Sequence, residues 1–223
     1  MSEDAAEPKL QRVCIPSIGE AFPKIKVKTT MGPISLPDHF AGKWFLLFSH
    51  PADFTPVCTT EFSSFAMNHQ KFRELNCELI GLSADSLFSH IKWVEWIKEK
   101  LDVEITFPII ADSLREISSM FGTIHPHPDG GAIRACFFVN PKGKIASVLF
   151  YPKGVGRNIE ELLRVVKALK VVEEHGVVTP ANWPENEFIG SDVLERPPTD
   201  VKGAMAIKDR SGCLDWWFCR KKI

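Results

Sequence analysis

A chain of 223 residues with 44% hydrophobic and 25% charged side chains lies close to the globular average, which excludes wholesale disorder and allows one ordinary domain plus an appendage. With 27 Lys and Arg against 28 Asp and Glu the formal net charge is −1, so no overall field gathers nucleic acid or an anionic membrane, and neither is expected as a partner. The six cysteines (Cys14, Cys58, Cys77, Cys136, Cys213 and Cys219) are too sparse for a disulfide scaffold and none forms a CxxC pair, which leaves thiol chemistry as the better reading.

The first nine residues are acidic and polar, unlike a signal peptide, and no run of about 18 apolar residues is present to span a bilayer, so a cytoplasmic protein is expected. Lysines alternate with apolar residues over 24–30, and Met31-Gly32-Pro33 turns into Ile34-Ser35-Leu36, which predicts a hairpin. An apolar strand over 44–49, a helical spacing of Phe62, Phe65, Ala66, His69, Phe72 and Leu75 across 58–75, and a returning strand over 77–83 make a βαβ unit. A broad apolar stripe over 86–100 then precedes a strand at 107–111 and a short helix near 113–121. Strands over 134–139 and 145–151 flank the turn Asn140-Pro141-Lys142-Gly143-Lys144, and a helix over 158–174 starts at the candidate N-cap Asn158.

The fold class is therefore α/β, and the ββα ending points to a thioredoxin-like fold, a mixed central sheet flanked by helices. From Gly176 onward sustained periodicity stops. Residues 1–175 read as the core domain and 176–223 as a C-terminal arm or small extra domain, too small to form a core of its own and expected to pack on a neighbouring subunit.

The most informative stretch is His50-Pro51-Ala52-Asp53-Phe54-Thr55-Pro56-Val57-Cys58, which follows the apolar strand and opens the helical pattern. A first helical turn offers a thiolate unpaired N–H groups and the positive end of the helix dipole. A free thiol of pKa about 8.5 is only a few per cent thiolate at neutral pH, and a useful nucleophile needs roughly 3 kcal/mol of help. Helix position supplies ~1 kcal/mol of that, so a cation is expected beside Cys58. Cys77 and Cys136 sit in buried-strand patterns and read as inert packing thiols.

Pro51-x-x-x-Thr55-x-x-Cys58 resembles the active-site motif of the peroxiredoxins, and the match extends from Phe48 through Glu61, to Arg134, and to Tyr151-Pro152 with Gly156-Arg157-Asn158. With the long C-terminal segment the chain resembles the 1-Cys-type subfamily, and most nearly the long-tailed thioredoxin peroxidases of archaea and thermophilic bacteria. The resemblance implies a thiol peroxidase without metal or organic cofactor, in which Cys58 attacks H2O2 or an alkyl hydroperoxide. It implies that Arg134 steadies the thiolate, that Thr55 orients the peroxide, that Pro51 walls the pocket, and that His50, Glu61 and Arg157 line it. It further implies Cys219 as the resolving cysteine, Cys213 as an additional thiol, an external dithiol reductant of thioredoxin type, and homodimers assembling into a ring.

Each of these residues also has a plainer reading: a strand-end arginine for Arg134, a turn hydroxyl for Thr55, a strand terminator for Pro51, a first-turn dipole complement for Glu61 and a structural hydrogen-bonding ring for His50. Trp93 and Trp96 could shield the pocket, but core packing is the cheaper explanation. In a helix Cys213 and Cys219 would be about 9 Å apart in rise, beyond the ~7 Å limit for a disulfide, so a direct bond between them needs a turn, and a mobile resolving arm is preferred. No nearby histidine completes zinc spacing at these thiols, and His125-Pro126-His127 reads as a loop. A general disulfide oxidoreductase would share the fold, but Cys58-Thr59-Thr60-Glu61 lacks the second cysteine that chemistry uses. A chaperone-like assembly would need no reactive thiol. No serine occupies Ala41-Gly42-Lys43-Trp44-Phe45, so a lipase-type activity is not expected.

Overall fold

The computed structural model describes residues 15–124, 131–207 and 210–223; His125, His127 and Cys14 lie outside them. The chain divides into two compact units, Met1–Arg157 and Asn158–Ile223.

The first unit holds β1 (Ile25–Thr29), β2 (Gly32–Leu36), β3 (Trp44–Ser49), α1 (Pro56–Glu74), β4 (Cys77–Ser83), α2 (Leu87–Leu101), β5 (Ile109–Ala111), α3 (Glu116–Met120), β6 (Arg134–Val139) and β7 (Ile145–Tyr151). Its seven-stranded sheet has the order β2-β1-β5-β4-β3-β6-β7. β3 runs parallel to β4 and antiparallel to β6, and all six of its residues are buried. A strand covered on both faces carries a continuous apolar run, which is why Trp44 to Phe48 shows no polar alternation.

Side chains alternate across the sheet and so divide β3 between two layers. Phe45 and Leu47 join Ile80, Leu82, Phe137 and Val139 in one core cluster. Phe48 points the other way, stacking on Phe65 of α1 with ring centroids 4.1 Å apart and touching Phe62 and Phe107. Each such aromatic pair adds about 0.5–1.5 kcal/mol beyond burial, so α1 is fastened to the strand that leads into it. The fit is close at Gly81 of β4, where a Cβ would lie 3.0 Å from Phe62 Cζ.

Pro56 occupies the first turn of α1, where its missing N–H costs nothing, and Thr55 precedes it in extended conformation as N-cap. α2 opens on Ser86, whose hydroxyl accepts from the Ser89 N–H, and closes on Asp102 in the left-handed region. The strand expected from 107 begins only at Ile109, since Pro108 has no N–H for the ladder.

The second unit opens with α4 (Ile159–His175), whose N-cap Asn158 accepts from the N–H groups of Glu160 and Glu161 and whose C-terminus turns off at Gly176 with φ 65. The sequence pattern places its own boundary after this helix, at 175/176. Beyond it the structure adds β8 (Val193–Leu194), α5 (Val201–Ile207), β9 (Cys213–Asp215) and β10 (Phe218–Lys221), with a three-stranded sheet of order β8-β10-β9. Val177, Trp183 and Val193 form a small core with Ala168 and Val171, and the Trp183 indole N–H donates to Ser191 O at 3.0 Å. Strands of two to four residues are too short to show a period of two, which hid them from the sequence reading.

The turn that a direct Cys213–Cys219 bond requires is present. β9 and β10 form a hairpin in which the two cysteines are register partners, their Cα atoms are 3.9 Å apart, and a disulfide joins them. Among the described residues no helix is long and apolar enough to cross a membrane.

Candidate active site

Cys58 is the third residue of α1 and is fully buried. The loop that delivers it turns at Phe54, which takes φ 54. The Thr55 hydroxyl donates to Ala52 O at 2.9 Å, which commits its proton and aims its lone pairs elsewhere, while Thr55 O accepts from the Thr59 N–H at 3.0 Å as the first carbonyl of the helix. Backbone N–H groups ahead of Thr59 have no intrahelical acceptor, so Cys58 sits where the helix offers donors. Pro51 is half-buried in the same loop.

Arg134, the first residue of β6, reaches this turn from the neighbouring strand. Its Nη1 lies 3.3 Å from Cys58 Sγ and donates to Glu61 Oε2 at 2.7 Å, while its Nε and Nη2 both donate to Lys153 O. The plainer reading of Arg134 as an exposed strand end does not hold, because only 2% of the residue is accessible.

Glu61 is one turn along α1 from Cys58 and accepts from both arginines. Arg157 gives Oε1 its backbone N–H and Nε, each at 2.8 Å, and gives Oε2 its Nη2 at 2.7 Å. The remaining Arg157 nitrogen donates to Ser49 O and Ala135 O, and the guanidinium lies over Phe48 and Phe65. Burial alone would push the Glu61 carboxyl up, but the hydrogen bonds and charge of Arg157, with Arg134 behind them, hold it below the usual carboxylate range. Two guanidiniums against one carboxylate leave this buried trio with one positive charge in excess.

His50 ends the strand-to-loop passage and is fully buried, its ring 4.6 Å from Phe62 and stacked 5.2 Å from Trp93. Its Nε2 lies 2.9 Å from Asp53 Oδ1, and His90 Nδ1 lies 2.8 Å from Asp53 Oδ2. Asp53 and His90 were missed as site residues by the sequence reading. The available signal was His90 at i, i+3, i+7 with Trp93 and Ile97, a histidine on the buried stripe of α2. Trp93 packs at this site and donates its indole N–H to Thr59 Oγ1 at 3.3 Å, whereas Trp96 is partly exposed.

Two family models match the chain, the AhpC/TSA family over residues 18–148 and the C-terminal domain of 1-Cys peroxiredoxin over residues 168–210. The chain belongs to the peroxiredoxin family. A peroxiredoxin of Thermotoga maritima is 58% identical over 212 residues, 94% of this chain and 98% of that one. One of Methanocaldococcus jannaschii is 55% identical over 216 residues, 94% of this chain and 100% of that one. Among solved structures, a yeast mitochondrial 1-Cys peroxiredoxin matches with TM-score 0.80 at 37% identity over 93% of this chain and 100% of its own. Peroxiredoxin 6 of Arenicola marina matches with TM-score 0.76 at 32% identity over 87% of this chain and 90% of its own. The resemblance drawn from the motif and the thioredoxin-like fold are thereby established, and the protein is a thiol-dependent peroxidase.

In this peroxiredoxin Cys77 and Cys136 are reduced and buried. Burial pushes the Cys136 thiol up against the opposing pull of Arg157, in keeping with an inert packing thiol. Cys219 is buried in the second unit and Cys213 is half-buried beside it.

The buried groups make stability depend on pH in one direction. Burial holds His50 and His69 below the ordinary imidazole value, so the stability their neutral forms contribute is present above about pH 6.5 and is lost as pH falls below it. Burial would raise Asp53, but its bonds to His50 and His90 bring it down to about 2. The Asp53 and Glu61 contributions are therefore complete above about pH 4.5 and disappear on further acidification, for Asp53 through about pH 2. Urea midpoints measured from pH 8 to pH 3 are expected to fall below pH 6.5 and more steeply below pH 4.5; a midpoint that rises over that range contradicts these assignments.

Proposed function

We propose that Cys58 is the nucleophile of the peroxidase and that Arg134 steadies its thiolate; the 3.3 Å approach of Arg134 Nη1 to Sγ inside a pocket with one spare positive charge carries this reading. The thiolate attacks the hydroxyl-bearing oxygen of H2O2 or an alkyl hydroperoxide, which keeps its proton. The O–O bond breaks, and the electron pair leaves with the distal oxygen, which takes from solvent the equivalent of the proton shed when the Cys58 thiol ionised and departs as water or an alcohol. Cys58 becomes a sulfenic acid. Arg134 faces the charge that develops on the leaving oxygen, and Thr55, its own proton committed to Ala52 O, presents lone pairs to the peroxide hydroxyl. Pro51 walls the pocket, while Glu61 and Arg157 hold Arg134 in place. The chemistry calls on no metal or organic cofactor.

Resolution falls to Cys219, contributed by the partner subunit. Its thiol condenses with the Cys58 sulfenic acid, releasing water and forming an S–S bond. Cys213, its hairpin neighbour, then attacks Cys219 Sγ, which frees Cys58 and forms the Cys213–Cys219 disulfide seen in the arm. An external dithiol restores both thiols. The yeast relative is described as resolving its thiol via glutathione/thioredoxin systems, and a reductant of thioredoxin type is proposed for this chain.

Residues 176–223 form the dimerisation and resolving arm of this reading, with 1–175 as the peroxidase domain. The minimum unit is a homodimer and the assembly a ring of dimers. Large apolar side chains left exposed, Phe54, Phe88 and Leu114 in the first unit and Met205, Leu214 and Trp217 in the second, support association. The location is cytoplasmic.

Three measurements test these statements. Cys58→Ser is expected to abolish peroxide consumption in stopped flow, and Arg134→Ala to slow it by about a hundredfold, on the order of 3 kcal/mol, with the fold intact; a Cys58→Ser variant within tenfold of the parent rejects the nucleophile. Under excess peroxide Cys219→Ser is expected to let Cys58 advance to sulfinic acid, while Cys213→Ser accumulates an interchain Cys58–Cys219 linkage. Peptide mapping that finds a bond from Cys58 to Cys213 instead overturns the order of exchange. Light scattering is expected to report many chains per particle, against which a 25 kDa monomer at micromolar concentration would weigh decisively.

A further inference from the structure

Among the described residues one fully buried polar cluster has no part in the chemistry above beyond its edge: His50, Asp53 and His90. Hydrogen-bond bookkeeping fixes its protons. The Asp53 carboxylate can only accept, so His50 donates from Nε2 at 2.9 Å and His90 donates from Nδ1 at 2.8 and 3.0 Å. The other His90 nitrogen lies 3.2 Å from Ile110 O, a carbonyl that also only accepts. Both nitrogens of His90 therefore face acceptors, and its Nδ1–H is directed at Asp53.

His50 is left with a single proton, committed to Asp53. Burial keeps its ring neutral, and the His90 ring, with its centroid 6.0 Å away, works in the same direction. Its Nδ1 is thus a bare lone pair, buried and without a hydrogen-bond partner in the structure. The His50 ring lies against Phe62, which is four residues from Cys58 on α1 and so shares its helix face. An unmet buried acceptor is an asset when a hydroxyl arrives and a cost otherwise.

We propose that His90 is a positioning residue for the peroxide reaction: acting through Asp53, it locks His50 in the Nε2–H tautomer and so holds His50 Nδ1 as a second acceptor, beside the Thr55 hydroxyl, for the two hydroxyls of bound hydrogen peroxide. The proposal rests on the reading of Cys58 as nucleophile. Without His90, Asp53 loses a hydrogen-bond donor and gains a reason to protonate. A protonated Asp53 donates to His50 Nε2 and drives the ring's proton onto Nδ1, turning acceptor into donor.

Neutron diffraction from perdeuterated protein at neutral pH reads these protons directly. Deuterium is expected on His50 Nε2 and on His90 Nδ1, with none on His50 Nδ1; deuterium on His50 Nδ1 overturns the proposal, as does one equivalent of zinc in the purified protein, since a cation on these three side chains would take the protons' places. His90→Phe is expected to slow reaction with H2O2 by roughly tenfold or more, while alkylation of Cys58 by iodoacetamide, which needs no acceptor for a hydroxyl, changes by less than about threefold. Equal losses in both reactions indicate a merely structural role and reject the assignment. His90→Asn, whose amide keeps a donor near the position of Nδ1, is expected to recover most of the loss. Should His90→Phe fail to fold, the neutron result on the parent still decides. A Cys58→Ser variant that keeps its peroxidase would instead sink the reading of the site, a different outcome from a misplaced proton on His50.

Discussion

Glu61 clasped between Arg157 and Arg134 is the constraint on which the rest of the site depends. One buried carboxylate accepts from two guanidiniums and a backbone N–H, and every distance in the set is 2.7 or 2.8 Å. Deleting Glu61 would leave two guanidiniums in the core without their shared carboxylate, at a cost on the order of 3–5 kcal/mol. The network also spans the fold, because its members come from α1, from the first residue of β6 and from the end of the first unit. It fixes where the catalytic turn of α1 lies against the sheet. The Phe48, Phe62 and Phe65 rings do the same with dispersion and burial, so Cys58 is located by two unlike forces.

The division of labour among elements follows. A strand buried on both faces cannot carry polar side chains along its length, so chemistry is confined to its end, where Ser49 and His50 leave the sheet. The loop then reverses at Phe54, Pro56 starts the helix, and Cys58 arrives within one turn. Gly81 shows how little slack this leaves, since a Cβ on the neighbouring strand would press against the Phe62 ring at 3.0 Å.

Most of the first unit was legible in the sequence, because its strands and helices are long enough to display their periods and because Asn158 and Pro56 mark helix starts. The match of β3, β4, β6 and β7 to their expected ranges reflects strands whose ends are set by polar or turn residues. The second unit was not legible beyond α4. Its strands draw stability from a disulfide and a single tryptophan cluster, neither of which imposes a pattern on neighbouring residues. Within the site, Cys58, Thr55 and Arg134 could be named from motif and electrostatic need, whereas Asp53 and His90 could not. Their meaning lies in a contact across 37 positions of chain, and each taken singly looks like an ordinary polar residue.

The spare positive charge beside Cys58 also changes in value as turnover proceeds. On the proposed reading, a thiolate at Cys58 offsets the excess charge of Arg134 and Arg157 over Glu61. On the mechanism proposed above, oxidation to an uncharged sulfenic acid removes the negative charge facing Arg134 and leaves an unpaired positive charge in a buried setting, where it is costly. That imbalance draws in another anion, and an incoming resolving thiolate is one. A second oxidation, to a sulfinate, would supply a negative group permanently and restore neutrality without any partner. On that mechanism the arginine pair proposed to ready Cys58 for its first peroxide also makes the over-oxidised form an electrostatic resting place, so the speed of resolution sets how often a molecule is lost from the cycle.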